Sequence, residues 1–266
     1  MTDLIYNLPT WAMALTVVAA TVILSLAGLL VASRLLPVEL RRRHNEFVGF
    51  NSALVGVFFA VLLAFIAVAA WESFGKAGET AETEASLAGD LFRDAHVMPE
   101  AVRGRLMDEM ADYVQIVLTQ EWPAMARGEE FGDEGWKPLM DFHATLIQMP
   151  AGDPGSAAML SEALTRLNSL YDARRARLLA ADDHIESMVW WVVIIGSAIT
   201  IGFTFLFGME DFRLHMAMTG GVAASLALVI VLILAFDYPF RGEVQIRPAG
   251  FEHVKHNMEL AGAKFP

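Results

Sequence analysis

Few residues in this chain are placed to do chemistry, and the sharpest set is a repeat. Asn51, Phe58, Phe65 and Glu72 recur every seven residues, so on a helix they fall near one line. Val55 and Leu62 fill that line, with Leu54 and Val61 beside them. An amide at one end, bulky rings within and a carboxylate at the other end suit the lining of a narrow ion conduit. An apolar constriction of that kind closes by dewetting and needs no charge at its centre. The same stripe also suits a packing seam between helices, the commoner use of large side chains on one helical face. The residues alone leave both readings open.

Other reactive side chains form weaker sets. His253 and His256 are three apart and share a helical face, a spacing open to metal binding but without a carboxylate beside it. Asp108, Glu109 and Asp112 cluster on one turn, and Asp182, Asp183 and Glu186 repeat the pattern just before an apolar run. The first set reads as a solvated face. The second has the position to draw ions toward a pore mouth. No Gly-rich phosphate loop, HExxH or GxSxG is present, and no nucleophile has a base near it in sequence. Zero cysteines exclude thiol catalysis, disulfides and iron–sulfur ligation. The expectation is therefore no enzyme, no cofactor and no metal.

The elements that would hold the heptad line are apolar runs of membrane length. Trp11–Ala32, Phe47–Trp71, Met188–Met209 and Met216–Phe236 are each near or above the roughly 20 residues a spanning helix needs. Trp11, Trp71, Trp190 and Trp191 sit beside run ends, as in an interfacial aromatic belt. No ionisable residue lies mid-run, which argues against a proton-coupled transporter. Residues 1–10 carry no Lys or Arg, so the first run reads as a retained span rather than a cleaved signal. Leu4, Ile5, Tyr6 and Leu8 make its lead amphipathic.

Charge is segregated. Residues 72–187 hold 22 Asp/Glu against 10 Lys/Arg, a balance of −12, and the rest of the chain balances at 9 of each. That segment disfavours nucleic acid and anionic lipid and enriches cations. Arg34, Arg41, Arg42 and Arg43 in the first link place that link in the cytoplasm and the acidic segment outside. Arg174, Arg175, Arg177, Arg241, Arg247 and Lys255 count the other way.

The acidic segment reads as helical. Ala77, Ala81, Ala88, Leu91 and Ala95 extend the second run as one helix to Val97. Val102, Leu106, Met110, Tyr113, Val114 and Val117 form an apolar stripe that Glu121-Trp122-Pro123 closes or kinks. Residues 128–135 read as a loop, followed by a short helix that carries Leu139, Phe142, Leu146 and Ile147. PAGDPG at 150–155 breaks the chain, with Asp153 as cap and Pro154 opening the next helix. Its buried face reads as Met159, Ala163, Leu164, Leu167, Leu170, Tyr171, Leu178 and Leu179, running on toward the third span. A link of about seven residues makes the third and fourth spans an antiparallel hairpin, with Ser25, Gly28, Gly220 and Gly221 as small packing positions.

Six stretches together resemble a bacterial membrane family described as bestrophin-like. They are RLLPxExxxxHN from Arg34, FAVLLAFIAVAAWE in the second run, EWPAMARGE from Glu121, RLNSLYDARRARLL before the third run, IGFTFLFG at its end, and DYPFRGEVQIRP after the fourth. The resemblance implies a remote likeness to bestrophins, pentameric ion channels whose second span lines the pore with a bulky apolar neck. By position that neck is Phe58, Leu62 and Phe65. Bestrophins keep the domain after the second span in the cytosol, opposite to the Arg34–Arg43 argument. The acidic calcium clasp of animal bestrophins has no match, so calcium gating is not implied.

The expected protein is all-α, with four transmembrane helices and an acidic helical-bundle domain inserted between helices two and three. Residues 1–71 form the first transmembrane hairpin, 72–187 the acidic domain, 188–236 the second hairpin and 237–266 a tail. The expected function is a homo-oligomeric ion channel in the bacterial inner membrane, its pore lined by Asn51, Val55, Phe58, Leu62, Phe65 and Glu72. Its partners are the lipid bilayer, small inorganic ions and copies of itself, with no nucleic acid. The alternative is a non-conducting scaffold or sensor whose acidic domain binds a partner.

Overall fold

The computed structural model describes residues 9–129, 132–149 and 152–265. The amphipathic lead at Leu4, Ile5, Tyr6 and Leu8 lies outside them. Among the described residues every regular element is helical. In chain order these are α1 Thr10–Leu35, α2 Val38–Arg43, α3 Asn45–Val97, α4 Glu100–Ile116, a π-helical turn Val117–Glu121, α5 Trp122–Arg127, α6 Trp136–Leu146, α7 Pro154–Asp182, α8 Ser187–Phe205, α9 Phe212–Asp237 and α10 Ala249–Leu260. Four stretches, Thr10–Leu35, Asn45–Val97, Pro154–Phe205 (α7 and α8 together) and Phe212–Asp237, are long and apolar enough to cross a membrane.

The contacts divide the chain into two units. The first comprises Met1–Ser73, His184–Asp237 and Gly242–Val244; the second comprises Phe74–Asp183, Tyr238–Arg241 and Gln245–Pro266. Helix α3 is continuous through residue 73, so the expected unbroken extension to Val97 is present.

In the first unit α1 and α9 form the most closely packed helix pair. A stripe of small residues allows it: Thr219, Ala223 and Ala227 of α9 are buried, as is Ser25 of α1, with the larger Leu29 also buried. Apolar surroundings offer no water to the backbone, so small side chains and internal hydroxyl bonds are the favoured means of close approach. Thr21 and Ser25 hydroxyls accordingly donate to the carbonyls of Val17 and Thr21. Gly28 lies against the Phe205 ring. Gly221 meets no neighbour, contrary to expectation, because it is exposed while Gly220 lies nearer α1 at Val22.

The α8–α9 link solves the problem of orphan carbonyls at a helix end. His215 Nε2 lies 2.8 Å from the Thr204 carbonyl. Arg41 Nη1 donates to the carbonyls of Phe205 and Phe207 at 3.1 and 3.2 Å. The Asn45 amide both donates to the Gly208 carbonyl at 3.1 Å and accepts from its N–H at 2.8 Å. A guanidinium here also suits the negative end of the α8 dipole.

The second unit has one core, built from α3 beyond Ser73, α4, α6, α7 and α10. Asp153 caps α7 as expected, accepting from the N–H groups of Gly155 and Ser156 at 2.9 and 3.0 Å; Pro150 and Ala151 of the breaker lie outside the described residues. Of the two outcomes expected at Glu121-Trp122-Pro123, the helix is distorted rather than closed: the chain widens into the π-helical turn and continues as α5 to Arg127, which accommodates a proline that lacks the donor a regular helix would use. Two other expectations are corrected. Helix α7 stops at Asp182, four residues short of α8. Leu179 is exposed, because α7 turns Arg174 and Arg177 inward instead.

Candidate pore-lining face

Helix α3 presents two different faces in the first unit. Phe59, Leu63 and Ala70 pack with Val193 of α8 and Ile233 of α9. Their spacing of four and seven puts them on one side of the helix. Phe59 can seat its ring on α8 because position 196 is glycine: a Cβ there would come within 2.1 Å of the ring. This is the subunit's own seam, and it uses none of the six residues in the expected lining set.

Those six lie on the adjacent face, with Val55 and Leu62 bordering the seam. Phe58 and Phe65 are each 71% exposed, whereas Phe59 and Leu63 are 6% and 3% exposed. Leu62 and Glu72 are also exposed, and Asn51 and Val55 are half-buried. The Asn51 amide donates to the carbonyl of Phe47 at 2.9 Å, within its own helix. From Phe58 to Leu63 the helix turns roughly 140°, at 3.6 residues per turn. Within the subunit, the packing seam of α3 runs on another register than the heptad line.

The remaining acidic sets do not assemble into sites. Asp108 and Asp112 are exposed. Glu109 accepts from the Thr145 hydroxyl at 2.7 Å. Burial pushes its carboxyl above the usual range, against that bond, which lowers it. Asp182 ends α7, and Glu186 immediately precedes α8. His253 and His256 are exposed on α10. No group of three or more metal-ligating side chains occurs among the described residues.

Sequence reasoning missed a buried cluster of charges in the second unit. Arg177 donates from Nε to Glu84 Oε2 at 2.5 Å and from Nη2 to Glu84 Oε1 at 3.0 Å and Glu121 Oε2 at 2.7 Å. Arg174 grips Glu121 with both terminal nitrogens, at 2.9 and 2.5 Å. The Tyr113 hydroxyl donates to Glu84. Indole and phenyl rings wall the guanidinium groups, with Trp136 4.7 Å from Arg174 and Trp122 5.6 Å from Arg177. Gly135 leaves room for the bidentate pair, since a Cβ there would meet Glu121 Oε1 at 2.3 Å. Two cations and two anions balance, the condition for burying charge at all. Burial drives the Tyr113 hydroxyl well above its ordinary pKa, reinforced by the Glu84 charge. Burial would likewise raise Glu121, but the bonds and charges of Arg174 and Arg177 outweigh it and hold the carboxyl low.

The signal was in the register. Ala77, Ala81, Ala88, Leu91 and Ala95 leave one gap in a 4-3-4-3-4 series, and Glu84 fills it. On α7, Ala163, Leu167 and Leu170 extend by the same rule to Arg174 and Arg177. This cluster also joins two of the quoted stretches, EWPAMARGE and RLNSLYDARRARLL.

A family model described as a bestrophin-like domain matches residues 19–251. No curated protein sequence matches the chain. Among solved structures, two mutants of a bacterial bestrophin homologue from Klebsiella pneumoniae are similar in fold. One gives a TM-score of 0.70 at 12% identity, covering 94% of this chain and 99% of the other. The second gives 0.69 at 11% identity, covering 92% and 99%. A membrane protein carrying a point substitution gives 0.70 at 11% identity, covering 94% and 99%.

Proposed function

This chain belongs to the bestrophin-like family, and from that premise we propose that several copies assemble into an ion channel in the bacterial inner membrane. Four spans in a single copy are too few to enclose a conduit, so conduction requires an oligomer. In this reading Asn51, Val55, Phe58, Leu62, Phe65 and Glu72 of each α3 face the shared axis. The rings of Phe58 and Phe65, with Leu62 between them, form the apolar constriction that closes it by dewetting. The observation that carries the reading is the 71% exposure of both rings beside a seam that is already filled by Phe59 and Leu63. Other spans also expose apolar side chains, as lipid-facing helices do. What distinguishes the α3 line is an amide, two rings and a carboxylate at one seven-residue spacing.

The test is ion flux from proteoliposomes made with the full chain. Phe58→Ala and Phe65→Ala should raise basal flux several-fold, and Glu72→Gln should shift the reversal potential in an ion gradient. Flux that is absent across pH, calcium and voltage, and that neither alanine variant evokes, would remove the channel reading. It would favour a scaffold or sensor acting through the acidic unit. The Arg-rich link and the family resemblance assign that unit to opposite sides of the membrane. The cysteine-free chain makes the choice measurable. A Ser156→Cys variant that reacts with an impermeant maleimide on intact cells has the unit outside, and a protected one has it inside.

A further inference from the structure

In the second unit, residues of α3 and α10 line a groove of about 640 Å³. A Cβ built at Gly89 would lie 3.3 Å from Val254. The floor is apolar, formed by the buried side chains of Phe92, Val254 and Met258. The rim is polar. Arg93 and His96 stand on the α3 side, and His253 and Asn257 on the α10 side. Asp90 is the one acid in the lining, and Arg93 Nη2 engages it at 2.8 Å. The two imidazoles and the Asn257 amide are exposed and make no side-chain hydrogen bond to protein among the described residues. A segment with 22 acids against 10 bases thus contributes to a lining in which the acid is already paired and several donors are open.

An apolar floor with a few convergent polar groups is the usual form of a small-molecule site. The donors select an anion, since imidazole N–H, amide and guanidinium groups all donate to a carboxylate. The floor selects an aromatic body, because a phenyl ring and a thioether both pack favourably on aromatic faces. We propose that this groove binds a small aromatic carboxylate, its ring on Phe92 and Met258 and its carboxylate held between His96, His253 and Arg93. The site lies wholly within the second unit and does not depend on whether α3 lines a pore.

The experiment is calorimetric titration of 2-naphthoate into the full chain in lipid nanodiscs, against empty nanodiscs. The neutral 2-naphthamide is the matched probe without charge. Saturable binding of the carboxylate is expected, with the amide weaker by about tenfold, the usual worth of a charge-assisted bond. His253→Ala and His96→Ala, both exposed substitutions, should each weaken 2-naphthoate several-fold. Met258→Ala should weaken both probes alike. Equal affinity for the two probes, indifference to both histidine substitutions, or no heat beyond that of empty nanodiscs would overturn the proposal.

Discussion

Two lines run along α3 at the same seven-residue spacing and meet opposite fates. Leu63, Ala70, Ala77, Glu84 and Leu91 are all buried. Asn51, Phe58, Phe65 and Glu72 are exposed or half-exposed. The buried line is aliphatic in both units except at Glu84, where a carboxylate takes the buried position in the second. Register therefore decides which residues turn inward, and the neighbours decide what can be tolerated there. Glu84 is tolerable because α7 and the π-helical turn bring Arg177, Arg174 and Glu121 to it. The open line has no such neighbour among the described residues.

Breaking the buried line should have the largest effect. Arg177→Ala leaves Glu84 buried beside Glu121 without its counter-charge, and should cost about 3–5 kcal/mol of unfolding free energy. Denaturant titration of the full chain, followed by Trp fluorescence, measures this. Loss below 1 kcal/mol would mean that water reaches the cluster.

Next comes the contrast between adjacent rings. Phe59→Ala empties the seam on α8 and should cost roughly 3 kcal/mol, visible as a lowered melting temperature. Phe58→Ala should leave that melting temperature nearly unchanged while altering flux. Similar losses for both would erase the distinction between the two lines.

A smaller effect is the response to acid. The Glu121 carboxyl is held below its ordinary pKa. Its contribution to stability is therefore complete above the usual carboxylate range and disappears as pH falls through the lowered value. Melting temperature should drop steeply in that window. Glu121→Gln should be less stable at neutral pH and flatter in acid.

The smallest effect has the opposite sign. Burial raises Glu109, so its charge is a cost that protonation relieves as pH falls through the raised value. Glu109→Gln should be neutral to slightly stabilising at pH 7, by about 0.5 kcal/mol or less.

The sequence by itself determined the helical class, the long apolar spans, the unbroken run of α3 to Val97 and the Asp153 cap. These follow from local chemistry: apolar length, turn residues and side-chain spacing act within a few turns of the chain. It also determined that Asn51, Phe58, Phe65 and Glu72 share a line. Only the tertiary structure decided which line on α3 becomes the seam, since Phe58 and Phe59 are adjacent and equally apolar, and the choice rests on Gly196 leaving space for one ring. The register put Arg174 and Arg177 on the buried face of α7, but only the tertiary structure decided their partners, because Glu84 and Glu121 lie far along the chain and no local pattern encodes their approach.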